Sequence, residues 1–211
     1  MIKLIEQKEE FLQERKKFNN VFNESVELPE NVYKDSFKIF IAFEFDLFFW
    51  EFFFFGVKEF VKGIGDLHYT YYVVDPSPEN FFYYLFKKYG VGIIDIESSI
   101  EEYNEFLSYE LRNKKYPKYK DDLLETPNVL TLFSSNPIWG LYAARSWEIG
   151  VVGFVNEDIK TIFLNSFNER KKIFTTIASH IQDLDGMLHF PPKIKKRYEK
   201  LLNNLPHLAQ V

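Results

Sequence analysis

The sequence predicts a single α+β domain, with a mixed or largely antiparallel sheet packed by several helices. Three observations carry that expectation. The chain has 211 residues, a length one core can organise, and its 46% hydrophobic and 27% charged residues fit a globular protein. Segments of period two and segments of helical period follow one another, which places strands and helices in one fold. Aromatic residues reach 19%, and eleven of the twenty-four phenylalanines fall between Phe37 and Val61. A large apolar side chain contributes roughly 1.5–3 kcal/mol when fully buried, so this run belongs at the centre of a core.

Ile2–Phe22 reads as a helix with a thin apolar stripe of Leu4, Phe11, Phe18 and Phe22, broken by Lys8 and Arg15. It is expected to lie along the surface. From Phe37 to Phe45, the residues Phe37, Ile39, Ile41, Phe43 and Phe45 alternate with Lys38, Phe40, Ala42 and Glu44, which predicts a half-buried strand. Beyond it Glu51, Lys58 and Lys62 share one stripe at a helical period, which predicts a helix with a wide buried face. Asp46 is its expected N-cap and Gly63 or Gly65 its stop. The charges at Lys38, Glu44, Asp46, Glu51, Lys58 and Glu59 break up the run, whereas a membrane span needs about 20 predominantly apolar residues. No membrane span is expected.

Asp66–Asp75 reads as a strand. Ser77, Pro78 and Gly90 delimit a helix over Pro78–Tyr89, and Val91–Glu97 is a short apolar strand. Ser99 and Glu102 form a capping-box pattern before a helix with Ile100, Tyr103, Leu107 and Leu111 on one face. Tyr109–Asn128 is polar, with Lys114, Lys115, Lys118 and Lys120 around Pro117; a division of the domain would fall there, at residues 112–127. Asn128–Ser134 reads as a strand and Ile138–Val155 as a hairpin, while Asn156–Asn165 has no decisive pattern. A helix is expected from Asn168 to about Leu184, and Pro191-Pro192 opens a last helix with Ile194, Tyr198, Leu201 and Leu202 on one side.

The net charge of −5 runs against nucleic-acid binding, which uses a basic surface. The basic clusters Arg170-Lys171-Lys172 and Lys193-Ile194-Lys195-Lys196-Arg197 read as solvated helix faces. There is no cysteine, so disulfides, thiolate metal sites and cysteine nucleophiles are excluded. With early charges at Lys3, Glu6 and Lys8, this favours a cytoplasmic setting. No P-loop, dinucleotide fingerprint or nucleophile elbow is present, and no cofactor is expected. The four histidines are His68, His180, His189 and His207.

The most individual segment is the hairpin around Trp139, Tyr142, Arg145, Trp147 and Glu148. With Arg145-Ser146 as a two-residue turn, Trp139 faces Val152, Leu141 faces Gly150 and Gly140 faces Val151. Every glycine then meets a larger side chain, as favourable cross-strand pairing asks. Ala-Arg-Ser-Trp is a poor tight turn, lacking Gly or Asn. These five residues are therefore the candidate binding site, since Trp and Arg dominate binding hot spots. The competing reading puts both tryptophans in the core and pairs Arg145 with Glu148.

Two other sets are weaker. His180, Asp183, Asp185 and His189 have divalent-metal chemistry, but their spacing matches no strong motif. Glu44 with Asp46, and Asp95 with Glu97, are carboxylates two apart that share a face on a strand, as paired acids of a hydrolase would. The function class these features favour is a non-catalytic module that binds another protein, itself basic; an immunity-type protein neutralising a basic toxin has this profile. A small hydrolase or metal-dependent enzyme using Glu44/Asp46 or His180/Asp183 is the first alternative. A binder of an apolar ligand lined by the phenylalanines is the second. The sequence carries no sign of oligomeric state.

Overall fold

The structure, a computed structural model, describes residues 2–113, 115, 116, 118 and 120–205. Lys114 and Pro117 of the polar stretch lie outside these residues, as does His207. The chain enters through a short strand, β1 (Lys3–Leu4), and turns into α1 (Lys8–Val21). A long loop leads to β2 (Ile39–Glu44), a tight helical turn (Phe45–Phe49) and α2 (Glu51–Gly63). β3 (His68–Asp75) is followed by a wide helical turn, Pro78–Tyr83, ending in α3 (Tyr84–Phe86), and then by β4 (Val91–Asp95). α4 (Ile100–Leu107) precedes a small ladder of β5 (Leu111–Arg112) with β6 (Lys120–Asp121). β7 (Val129–Ser134), β8 (Trp139–Ala144) and β9 (Ile149–Phe154) form a meander. α5 (Glu157–Ser166), α6 (Ile177–Leu188) and α7 (Pro192–Asn204) complete the order.

Seven strands form one sheet in the order β1–β4–β3–β7–β8–β9–β2, and every neighbouring pair is antiparallel. This is a single α+β domain, and the period-two alternation distributes apolar side chains to both faces of its sheet. Tyr69, Tyr71 and Val73 of β3, with Trp139 and Leu141 of β8, meet α2, α4 and α5 in one apolar layer. Tyr72 of β3 and Tyr142 of β8 meet α1, α6 and α7 in the other. β2 is thus not half-buried, as expected, but covered on both sides: Ile39, Ile41 and Phe43 point into the first layer, Phe40 and Ala42 into the second. Even Thr70 is enclosed; its hydroxyl donates to the buried Glu14 of α1 at 2.6 Å.

Local chemistry sets several element ends. Ser99 and Glu102 form both halves of the capping box. Ser77 accepts from Asn80 N at 3.2 Å, and Asn156 caps α5 by accepting from Ile159 N at 3.0 Å. Several expectations need correction. The N-terminal helix begins at Lys8; before it, β1 pairs with the sheet edge at β4. Asp46 lies within the tight turn, and Trp50 takes the position before α2. Leu111 belongs to β5, not to α4. The helix expected from Asn168 to Leu184 is divided: a tight helical turn (Asn168–Ile173) precedes α6, which Thr176 caps by accepting from Ser179 N at 3.1 Å. Between them Thr175 exchanges hydrogen bonds with Ala42 at 2.8 and 2.9 Å, covering the outer edge of β2.

The hairpin register also differs, by two residues. Trp139 faces Phe154 and Gly140 faces Gly153. The turn is the four residues Arg145–Glu148, with Glu148 at a positive φ of 52°. Two glycines directly opposite each other leave a shallow floor, and the adjacent layer fills it. A Cβ on Gly140 would lie 2.4 Å from Val21 Cγ1, and one on Gly153 2.7 Å from Tyr33 Cε1. The glycines serve packing between layers rather than between neighbouring strands.

Candidate functional site

The hairpin residues singled out by the sequence are mostly structural. Trp139 is fully buried; its Nε1 donates to Ser134 Oγ at 2.9 Å and its ring meets Phe60 edge-on. Tyr142 is buried in the opposite layer. Trp147 is buried beneath α7, with the Arg197 guanidinium 3.7 Å from its ring centroid. Arg145 does not pair with Glu148. Its guanidinium donates to the carbonyls of Pro127 (3.2 Å) and Leu124 (3.0 Å) and lies over Phe45, pinning the loop before β7. Of the five, only the Glu148 side chain stands exposed, so the tip presents neither tryptophan to solvent.

The two acidic sets do not converge on a metal. Among the described residues, no group of three or more His, Asp or Glu side chains is placed to hold one. His180 is buried with Nε2 3.0 Å from the Glu148 carbonyl oxygen, joining α6 to the hairpin turn. Asp185 accepts from Phe190 N (2.9 Å) and Lys195 Nζ (2.6 Å), fixing the turn into α7, while Asp183 and His189 are exposed. Glu44 and Asp46 are exposed at the end of β2, and Asp95 accepts from Glu97 N at 2.7 Å in a local turn.

A different place has the composition of a binding surface. α2 buries Phe53, Phe54, Val57, Phe60 and Val61, but a helix cannot turn every side chain of such a run inward. Phe55 is left 41% exposed and Trp50, just before the helix, 58% exposed. Phe52 is half-buried, with the Trp50 ring edge-on to it at 6.0 Å. Phe52 and Phe55, with Glu51 and Glu59, line one wall of an open groove of about 740 Å³, and Trp50 stands beside it on Phe52. Phe167, Asn168, Glu169 and Arg170 line the other. Gly56 lets the walls approach, since a Cβ there would lie 2.4 Å from Phe167 Cε1. The Arg170 guanidinium sits over Phe52, 4.6 Å from the ring centroid.

The groove thus combines Phe52, Phe55, Phe167 and a stacked arginine with the carboxylates of Glu51, Glu59 and Glu169, and the exposed Trp50 stands beside it. The sequence held a sign of it. Glu51, Phe55 and Glu59 recur at i, i+4 and i+8, so Phe55 shares the polar stripe of α2 and cannot face the core. Among the described residues, no helix is long and apolar enough to cross a membrane. The chain matches no family model, no curated protein and no solved structure.

Proposed function

We propose that this protein is a non-catalytic binding module that docks a basic segment of another protein in the groove between α2 and the turn after α5. The observation that carries the reading is the groove lined by Phe52, Phe55, Arg170 and three glutamates, with the exposed Trp50 packed on Phe52 beside it. Aromatic and arginine side chains supply most hot-spot energy, and surrounding charges select the partner and speed its approach. The acidic rim and the net charge of −5 favour a basic partner. Neutralisation of a basic toxin, in the manner of an immunity-type protein, is the role we infer for such binding.

The test uses the intact protein as bait in lysate of the native cell, beside the double variant Trp50→Ala/Phe55→Ala and the control Arg145→Lys. The reading expects a basic protein captured by wild type and control and lost with the double variant. Titration calorimetry of the purified pair should then show a loss of about 2 kcal/mol or more. Capture that survives the double variant with unchanged affinity removes the groove as the binding face.

A further inference from the structure

A second recess lies on the other side of the sheet, between α1, the turn at residues 23–27 and the turn at 77–80. Its volume is about 270 Å³, below the roughly 300–1,000 Å³ of sites for drug-sized ligands. The floor is aromatic: Tyr72 stacks on Phe18, with ring centroids 4.9 Å apart, beside Phe11. Tyr72 is 5% exposed, and its hydroxyl makes no hydrogen bond among the described residues. That hydroxyl lies within the field of Arg15, Glu24 and Glu79, and burial pushes its pKa well up, so it stays protonated. The side chain is otherwise enclosed, so this unpartnered hydroxyl is open only to the recess it lines and is free to engage a ligand there.

The charges around it are unbalanced. Arg15 reaches Glu24 on one side and Glu79 Oε2 on the other, the latter at 2.9 Å. Burial pushes the Glu24 carboxyl up, but hydrogen bonds from Arg15 and Asn19 more than offset this and hold it below the usual carboxylate range. Lys34 adds to that pull. Arg15 is thus already engaged by two carboxylates. The second oxygen of Glu79 accepts nothing among the described residues, and Glu27, also lining the recess, has no ion pair among them. One arginine faces three glutamates, so an anion is disfavoured and a cation favoured.

We propose that this recess binds a small organic cation, an alkylammonium or guanidinium group. The Tyr72 hydroxyl, Glu79 and Glu27 would engage its N–H donors, and its carbon chain would lie on the aromatic floor. A bare metal ion fits less well, because it would leave the aromatic surface without a partner.

The test follows backbone amide shifts of the full chain during titration with agmatine, with butane-1,4-diol as the uncharged control. The proposal expects saturable shifts confined to residues 11–27 and 72–80, absent with the diol. Glu79→Gln should weaken the affinity at least fivefold, and Tyr72→Phe should weaken it while the rest of the spectrum stays native. A parallel titration with an end-blocked Gly-Arg-Gly peptide separates sources. Tighter binding of agmatine assigns a free small molecule, and tighter binding of the peptide assigns an arginine side chain. No saturable shift with either probe, or shifts spread over the surface and indifferent to Glu79→Gln, would overturn the proposal.

Discussion

Tyr33 shows how single residues weld the layers of this fold. Its ring lies against Gly153, and its hydroxyl donates to Val151 O at 2.7 Å. The bare backbone of the Gly140–Gly153 pair is what admits the aromatic ring. Nearby, a Cβ on Gly150 would come within 2.1 Å of Phe43 Cζ, on a neighbouring strand. Gly150→Ala should therefore lower stability by roughly 1–3 kcal/mol through overpacking. Gly186→Ala is the contrasting case. A Cβ there meets nothing within 4 Å, and the site is helical, so it should gain about 0.5–1 kcal/mol. Urea unfolding of the two variants reads both signs, and a stabilised Gly150→Ala would refute the packing of β2 on β9. His180 adds a pH dependence. Burial pushes its imidazole pKa down, only partly offset by the Glu148 carbonyl and by Glu44 and Asp183. The folded protein thus binds a proton less readily than the unfolded chain. This contribution is complete above the ordinary histidine pKa of about 6.5 and is lost as pH falls through the lowered value. His180→Gln should flatten the fall in stability between about pH 7.5 and pH 5; an unchanged slope would show that His180 carries no part of it.

At the scale of elements, what the sequence makes legible is what local chemistry decides. The Ser99–Glu102 capping box, the Ser77 cap and the strands β3, β4 and β7 follow from residue types a few positions apart. The hairpin register does not. Arg145-Ser146 as a two-residue turn gave each glycine a bulky neighbour, yet the space over Gly140 and Gly153 is taken by Val21 and Tyr33, more than a hundred positions away. Cross-strand complementarity misleads when a third layer fills the gaps. The break before α6 was hidden for a related reason, since Thr175 is held extended by the edge of β2. The same limit explains the candidate site. Arg145 looked like a recognition residue because its carbonyl partners, Leu124 and Pro127, sit in a loop whose path only the fold reveals. Arg145→Ala should accordingly cost about 1–3 kcal/mol, because buried contacts and hydrogen bonds from a charged donor are lost together. Trp50→Ala, exposed at the start of α2, should stay within about 0.5 kcal/mol of wild type. Thermal unfolding of both compares them directly. An Arg145→Ala protein as stable as Trp50→Ala would return Arg145 to the candidates for binding.

For the molecule as a whole, the α+β class was readable from the periods and an antiparallel sheet was one of the two arrangements expected, but the layering was not. The Phe37–Val61 run and the alternating strands each suggested one core, because an alternating strand looks the same whether its second face meets solvent or tyrosines. Here the sheet is shared by two apolar layers, one holding Trp139 and the other Trp147. Neither layer can lose its packing without exposing one face of the same strands, so the two should unfold together despite the polar stretch at 112–127. Leu123, within that stretch, is itself fully buried in the first layer. Two variants that each keep one of these tryptophans, with the remaining tryptophans changed to Phe, place a probe in each layer. In each variant, tryptophan fluorescence and far-UV circular dichroism should give the same urea midpoint, as all-or-none unfolding demands. A Trp147 signal that changes at lower urea than the dichroism of the same variant would show the α1–α6–α7 layer melting first. The sheet would then be the boundary between two cooperative units rather than the element that joins them.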